Sequence, residues 1–158
     1  MSLESILVYG PSWIGDAVMS LGAIRSLKTA QPDTAITVLS RPGVEELYAS
    51  CEAVDRTWSY DSKAEDRGWS GLLRVASQLR RERFDACLLL PNAFRAAALA
   101  FAAGIPERWG YATETRGFLL TRSVPPAPRP FGRHQTYFYL DLVAGLGMPT
   151  GEPDSSLE

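Results

Sequence analysis

An α/β fold built on a doubly wound parallel sheet is what this sequence predicts, and three observations point to it. The run Ile6-Leu7-Val8-Tyr9 is apolar at consecutive positions and is cut off by Gly10-Pro11, as in a short strand buried on both faces. The run Ala86 to Leu90 has the same character and is cut off by Pro91-Asn92. Around these runs apolar residues recur at helical spacing, so strands alternate with helices along the chain, the pattern of a parallel sheet.

Taken in order, Ala17, Val18, Leu21, Ile24 and Leu27 predict a first helix over Ala17 to Gln31, stopped by Pro32. Ala35 to Leu39, rich in β-branched residues, reads as the second strand. Arg41-Pro42-Gly43 turns into a short helix over Val44 to Ser50, and Arg56 to Tyr60 is a weaker third strand. Asp61 to Gly68 is charged and aperiodic, hence a surface loop. Trp69, Leu72, Leu73, Ala76 and Leu79 predict the buried face of an amphipathic helix. It ends in Arg80-Arg81-Glu82-Arg83, where cations suit a helix C-terminus.

After the strand Asp85 to Leu90, Asn92 is placed to cap a helix over Ala93 to Ala103, stopped by Gly104 and Pro106. That helix is alanine-rich on all sides and should lie close on the sheet. Arg108 to Tyr111 and Leu119 to Val124 read as short strands with a polar turn between them. Pro125, Pro126, Pro128 and Pro130 mark a stiff extended segment. Tyr139, Leu142, Val143 and Leu146 line a last helix, closed by Gly147 and Pro149.

Composition narrows the function classes. At 158 residues the chain suits one domain with a sizeable core, and 46% apolar with 22% charged residues is ordinary for a globular protein. A net charge of −2 gives no basic field to draw nucleic acid. No apolar run is long enough to span a bilayer, and the first residues carry no secretory signal pattern. Cys51 and Cys87 are isolated, which points to reduced thiols without disulfide or metal. His134 is the single histidine, placed to cap the last helix, so no metal-ligand cluster is expected.

In open parallel sheets ligands bind at the carboxyl ends of the strands, which directs attention to Gly10-Pro11-Ser12-Trp13-Ile14-Gly15-Asp16. Gly10 and Gly15 have P-loop spacing, but Asp16-Ala17 stands where Lys-Ser/Thr is required, and a carboxylate there repels phosphate. A dinucleotide loop is excluded as well. Trp13 and Ile14 are bulky where a backbone must approach pyrophosphate, and the second strand ends in Ser40-Arg41 without an acidic residue.

Asp16, in the first turn of a helix, is therefore the candidate for chemistry. Its plainer reading is a carboxylate complementing the helix dipole, worth up to about 1 kcal/mol. Gly10, Ser12 and Gly15 either serve the turn alone or let backbone amides face a ligand, and Trp13 is a core residue or a wall of a sugar site. Asn92 and Arg95, three residues apart at a helix mouth on the same edge, form an anion clamp or a solvated surface pair. Arg41, Arg108, Arg116 and Arg122 are weaker members of the same basic patch.

These residues also carry a family resemblance. Gly10 to Ser20 (Gly-Pro-Ser-Trp-Ile-Gly-Asp-Ala-Val-Met-Ser) resembles the N-terminal signature of ADP-heptose:lipopolysaccharide heptosyltransferases of glycosyltransferase family 9, type II above all. Leu90-Pro91-Asn92-Ala93-Phe94-Arg95 resembles the family's Leu-Pro-Asn-Ser-Phe-Lys, with arginine in place of lysine. Ala103 to Tyr111 resembles its Ala-Gly-Ile-Pro-x-Arg-x-Gly, and His134, Tyr137, Tyr139, Leu140 and Gly147 resemble the helix closing the first half.

The resemblance spans about residues 5 to 149 and implies one Rossmann-like half of a two-domain GT-B glycosyltransferase. Residues 1–150 would be the N-terminal, acceptor-side domain, and 151–158 a tail or the start of a linker. It implies inverting transfer of heptose from ADP-heptose to a lipid A acceptor bearing Kdo and heptose. Asp16 would be the general base and the donor would be held mainly by the other half, with no cofactor. It also implies action in the cytoplasm at the inner face of the inner membrane, with at most peripheral contact. A different class, a non-catalytic module binding an anionic glycan, is the alternative.

Overall fold

A computed structural model describes residues 3–61, 67–113, 116–125 and 135–150, the side chains of 135–137 excepted. His134, most of the proline segment, most of the loop 61–68 and the tail 151–158 lie outside the described residues. The elements are β1 (Ser5–Tyr9), α1 (Ile14–Ala30), β2 (Ala35–Ser40), α2 (Glu45–Ala49), β3 (Arg56–Ser59), α3 (Gly68–Glu82) and β4 (Ala86–Leu89). They continue as α4 (Phe94–Ala102), β5 (Glu107–Tyr111), a 3-10 turn at Gly117–Leu119, β6 (Arg122–Val124) and α5 (Gln135–Gly145).

The strands form one sheet in the order β3-β2-β1-β4-β5-β6, and every pairing is parallel. This is the expected doubly wound α/β sheet. Its chain order reverses between β1 and β4, where Ile6 to Tyr9 lie in register with Ala86 to Leu89. The two central strands are apolar at consecutive positions because both faces are covered. Ile6 and Val8 point to one layer with Ala17, Leu21, Ile24 and Leu27 of α1, Tyr48 of α2 and Leu142 and Val143 of α5. Leu7, Cys87 and Leu89 point to the other, with Leu72, Val75 and Leu79 of α3 and Ala96, Ala97 and Ala100 of α4. Small side chains on α4 are what let it lie close, as its alanine content suggested.

Several expectations need correction. The buried stripe of α3 is Gly71, Leu72, Val75, Ala76 and Leu79, while Trp69 and Leu73 are exposed. Leu72, Val75, Ala76 and Leu79 already complete the i, i+3, i+4, i+7 face, so Trp69 and Leu73 fall in the adjacent row. Asn92 does not cap α4; Ala93 takes the N-cap position in an extended conformation. The first helix begins at Ile14, three residues before its first buried position. Leu119 to Val124 divides into a 3-10 turn and a three-residue strand. Cys51 and Cys87 are free and buried, and burial pushes the Cys87 thiol up to about 12. Among the described residues no helix is long and apolar enough to cross a membrane.

Candidate active site

The loop after β1 and the loop after β4 emerge side by side at the carboxyl edge, tied by the Leu90 N–H donating to the Tyr9 carbonyl at 3.2 Å. They flank the point where the strand order reverses, the usual ligand position in such sheets. Gly10 is locked to β2 by its N–H to the Leu39 carbonyl at 2.8 Å. A Cβ on Gly10 would stand 3.0 Å from the Tyr48 hydroxyl and 3.2 Å from its ring, so any side chain here would crowd Tyr48. Gly15 has an ordinary φ and nothing within 4 Å of its missing Cβ, so the turn-geometry reading fails for both glycines. The space beside Gly15 is open.

Tyr48 closes this part of the site from beneath. Its hydroxyl lies 3.0 Å from Ser20 Oγ, and Ser20 donates its own proton to the Ala17 carbonyl at 2.7 Å, which leaves Tyr48 as the donor between them. Burial pushes the Tyr48 phenol above its ordinary range, and the negative charge of Asp16 adds to the shift. Asp16 thus sits within electrostatic reach of the floor of the loop. It occupies the third position of α1, after the N-cap Trp13, and is half-buried. Among the described residues its carboxylate forms no hydrogen bond or ion pair.

The side chains around Asp16 are unusually open. Ser12 is exposed, Trp13 is 64% exposed and Ile14 61%, so core packing is the wrong reading of Trp13. Phe118, 75% exposed, lies tilted against Phe94 at the mouth of α4 with ring centroids 6.2 Å apart.

Arg95 is neither a solvated charge nor a loose clamp. Its Nε donates to the Tyr60 hydroxyl at 2.9 Å and its Nη2 to the Gly68 carbonyl at 2.8 Å. Its guanidinium also lies 5.8 Å from the ring centroids of Tyr60 and Trp69. Asn92, in the loop after β4, is half-buried, and among the described residues its buried Oδ1 has no partner. Asn92 thus lies between β4 and α4, and Arg95 is held rigidly in the first turn of α4.

The wider basic patch does not assemble. Arg108 donates to the Leu119 and Ile105 carbonyls, and Arg122 lies over Trp109 and donates to the Leu146 carbonyl, so both are engaged within the fold away from Asp16. Arg116 is 0% exposed. Its Nε donates to the Tyr111 carbonyl at 3.0 Å, and its Nη1 to the carbonyls of Pro91 at 2.8 Å and Ala93 at 3.1 Å. A Cβ on Gly110 would come within 3.0 Å of this guanidinium, so the strand makes room for it. Arg116 is a buried brace for the loop carrying Asn92, and no local pattern signals that. Only Arg41, at the end of β2, keeps a half-buried guanidinium at the carboxyl edge.

A family model described as glycosyltransferase family 9 (heptosyltransferase) matches residues 72–158. The chain belongs to glycosyltransferase family 9. It is 36% identical over 121 residues to lipopolysaccharide heptosyltransferase 2 of Salmonella typhimurium, covering 73% of this chain and 33% of that relative. The same protein of Escherichia coli matches at 35% identity with the same coverage. Among solved structures, E. coli ADP-heptose lps heptosyltransferase II superposes with a TM-score of 0.73 at 28% identity, covering 88% of this chain and 40% of that one. A family 9 glycosyl transferase from Veillonella parvula reaches a TM-score of 0.86 at 19% identity, covering 98% of this chain and 45% of that one, a likeness of fold alone. This family 9 chain spans about a third of the length of the curated relatives it matches. The family expected from the Gly10–Ser20 and Leu90–Arg95 motifs is the family found.

Proposed function

We propose that this chain is the acceptor-side, N-terminal domain of a GT-B lipopolysaccharide heptosyltransferase that transfers heptose from ADP-heptose, with inversion, to a lipid A acceptor bearing Kdo and heptose. The observation that carries this reading is Asp16. In a chain of the heptosyltransferase family, it puts one unpaired, half-buried carboxylate in the first turn of α1 at the switch point of the sheet. In the reaction Asp16 takes the proton of an acceptor hydroxyl as that oxygen forms its bond to the anomeric carbon. The bond from that carbon to the diphosphate breaks on the opposite side, and ADP leaves with the electron pair.

The open space at Gly15 admits the acceptor close to the backbone, and exposed Trp13 and Ser12 flank it. Asn92 and the rigidly held Arg95 border it from the β4 side. A second domain supplies most of the contacts to the ADP-sugar; no metal or other cofactor takes part. Transfer takes place at the cytoplasmic face of the inner membrane, which this domain touches only peripherally through its lipid-linked acceptor.

The test compares this chain with a protein in which the second domain follows it, using ADP release from ADP-heptose in the presence of the acceptor. Turnover is expected from the two-domain protein only, with little ADP binding by this chain in calorimetry. Tight ADP binding or turnover by this chain alone would contradict the division of labour. Acceptor binding without turnover by the two-domain protein would favour a non-catalytic glycan-binding module.

A further inference from the structure

Beside the loop after β1, on the β2 side, the structure contains a polar recess that shares Ser12 with the proposed acceptor site but has no role in the step at Asp16. It is lined by Gly10, Ser12, Ser40, Arg41 and Tyr60 among others, and its inner part has room for about one water-sized group. Ser40 ends β2 and is 2% exposed, and among the described residues its buried Oγ has no hydrogen-bond partner. Its carbonyl is engaged, accepting from the Tyr60 N–H at 2.8 Å. An orphaned buried hydroxyl costs free energy unless something reaches it. Arg41 follows it directly; among the described residues its guanidinium has no ion pair or hydrogen bond. Ser12 adds an exposed hydroxyl from the opposite wall.

The chemistry of these groups selects the ligand. Among the described residues, a guanidinium-bearing arginine and two hydroxyl donors line one recess, the positive end of α1 adjoins it through Ser12, and no carboxylate lines it. We propose that Ser40, Arg41 and Ser12 form an anion subsite that holds an acidic substituent of the acceptor, a phosphate monoester or a carboxylate. The assignment of that anion to the acceptor rests on the acceptor-side reading above. The inner recess takes one oxyanion oxygen against Ser40 Oγ, and Arg41 spans the outer oxygens. The subsite is distinct from Arg95, whose Nε and Nη2 are already spent on Tyr60 and Gly68.

Binding is tested on this chain by two-dimensional NMR, titrating inorganic phosphate at constant ionic strength against chloride. Saturable shifts are expected at Ser12, Ser40 and Arg41, including the Arg41 side-chain Nε–H. Arg41→Ala should weaken phosphate binding by about tenfold, the loss of a charge-assisted bidentate contact. Ser40→Ala should weaken it by roughly threefold, and Arg81→Ala, an exposed arginine on α3, should leave it unchanged. Shifts that never saturate, or saturate equally in Arg41→Ala, would overturn the subsite.

A second arm identifies the source of the anion in the two-domain protein. Arg41→Ala is expected to raise the acceptor KM and leave the ADP-heptose KM unchanged, whereas a raised donor KM would overturn the assignment to the acceptor. The phosphate titration does not depend on turnover, so failure of the heptosyltransferase reading and failure of the subsite give different results.

Discussion

At the amino edge of the sheet, Asp85 Oδ2 accepts the backbone N–H groups of Glu4 at 2.8 Å and Ser5 at 3.1 Å. Asp55 Oδ2 accepts the Ile36 N–H at 2.8 Å and Lys28 Nζ at 3.0 Å, and Thr34 Oγ1 donates to the Leu3 carbonyl at 2.6 Å. At the carboxyl edge, Ser40 Oγ and Asn92 Oδ1 are buried without partners among the described residues, while Trp13 and Phe118 face solvent. Same strands, opposite ends: one end spends its polar groups on closing strand starts, the other holds polar and aromatic groups in reserve. Buried polar atoms without partners are scarce in folded proteins, so two of them at the edge where such sheets usually bind ligands fit the site proposed there. Arg116 shows what such an edge demands, since a buried cation must hold the Pro91, Ala93 and Tyr111 carbonyls to keep the loop rigid.

Breaking that brace should have the largest effect on stability. Arg116→Met leaves three backbone carbonyls without their buried donor and should cost about 3–5 kcal/mol, a fall in Tm of roughly 10 °C in calorimetry. A Tm within a degree or two of wild type would mean that the brace is dispensable. Gly10→Ala ranks next, because the new Cβ meets the Tyr48 hydroxyl at 3.0 Å and the ring at 3.2 Å. Overpacking of that kind costs about 1–3 kcal/mol, measurable by urea denaturation.

A matched pair of variants then sharpens the contrast between the edges. Asp85→Ala strips a two-pronged cap from the start of β1 and should lose about 1–2 kcal/mol. Ser40→Ala removes a hydroxyl that has no partner and should be neutral or slightly stabilising, although the two sites are similarly polar. Equal losses in the pair would erase the distinction drawn between the edges.

The smallest effect is a pH dependence at the amino edge. Burial pulls the Asp55 carboxyl upward, but the Ile36 N–H and Lys28 hold it below its ordinary 3.8. A lowered folded-state pKa adds stability above the ordinary value and loses it as pH falls through the folded one. Asp55→Asn should therefore flatten the acid limb of the Tm–pH profile below about pH 4, modestly, because Asp55 is 45% exposed.

How much of this was legible in the sequence follows from the range of the interactions. Ile6 to Tyr9 and Ala86 to Leu90 announced the central strands because burial on both faces is written in consecutive residues. Asp16 stood out because a carboxylate replaced the residues a phosphate loop needs. Arg116 did not, since its burial depends on carbonyls up to 25 residues away that no spacing rule links. Ser40 was equally silent, because an orphaned hydroxyl exists only once Gly10, Tyr60 and Arg41 have come together around it. Trp69 was misread for a subtler reason: it lies one row off the buried stripe and is used instead as a surface for Arg95.

The carboxyl edge matters for function only if Asp16 does. Asparagine keeps the size of aspartate and its place in the first turn of α1 but cannot take a proton, so Asp16→Asn in the two-domain protein isolates the base. Steady-state kinetics should show kcat lower by about two to four decades, the usual worth of a general base, with both KM values and the Tm nearly unchanged. A folded Asp16→Asn protein whose kcat stays within a few-fold of wild type would contradict the proposed mechanism.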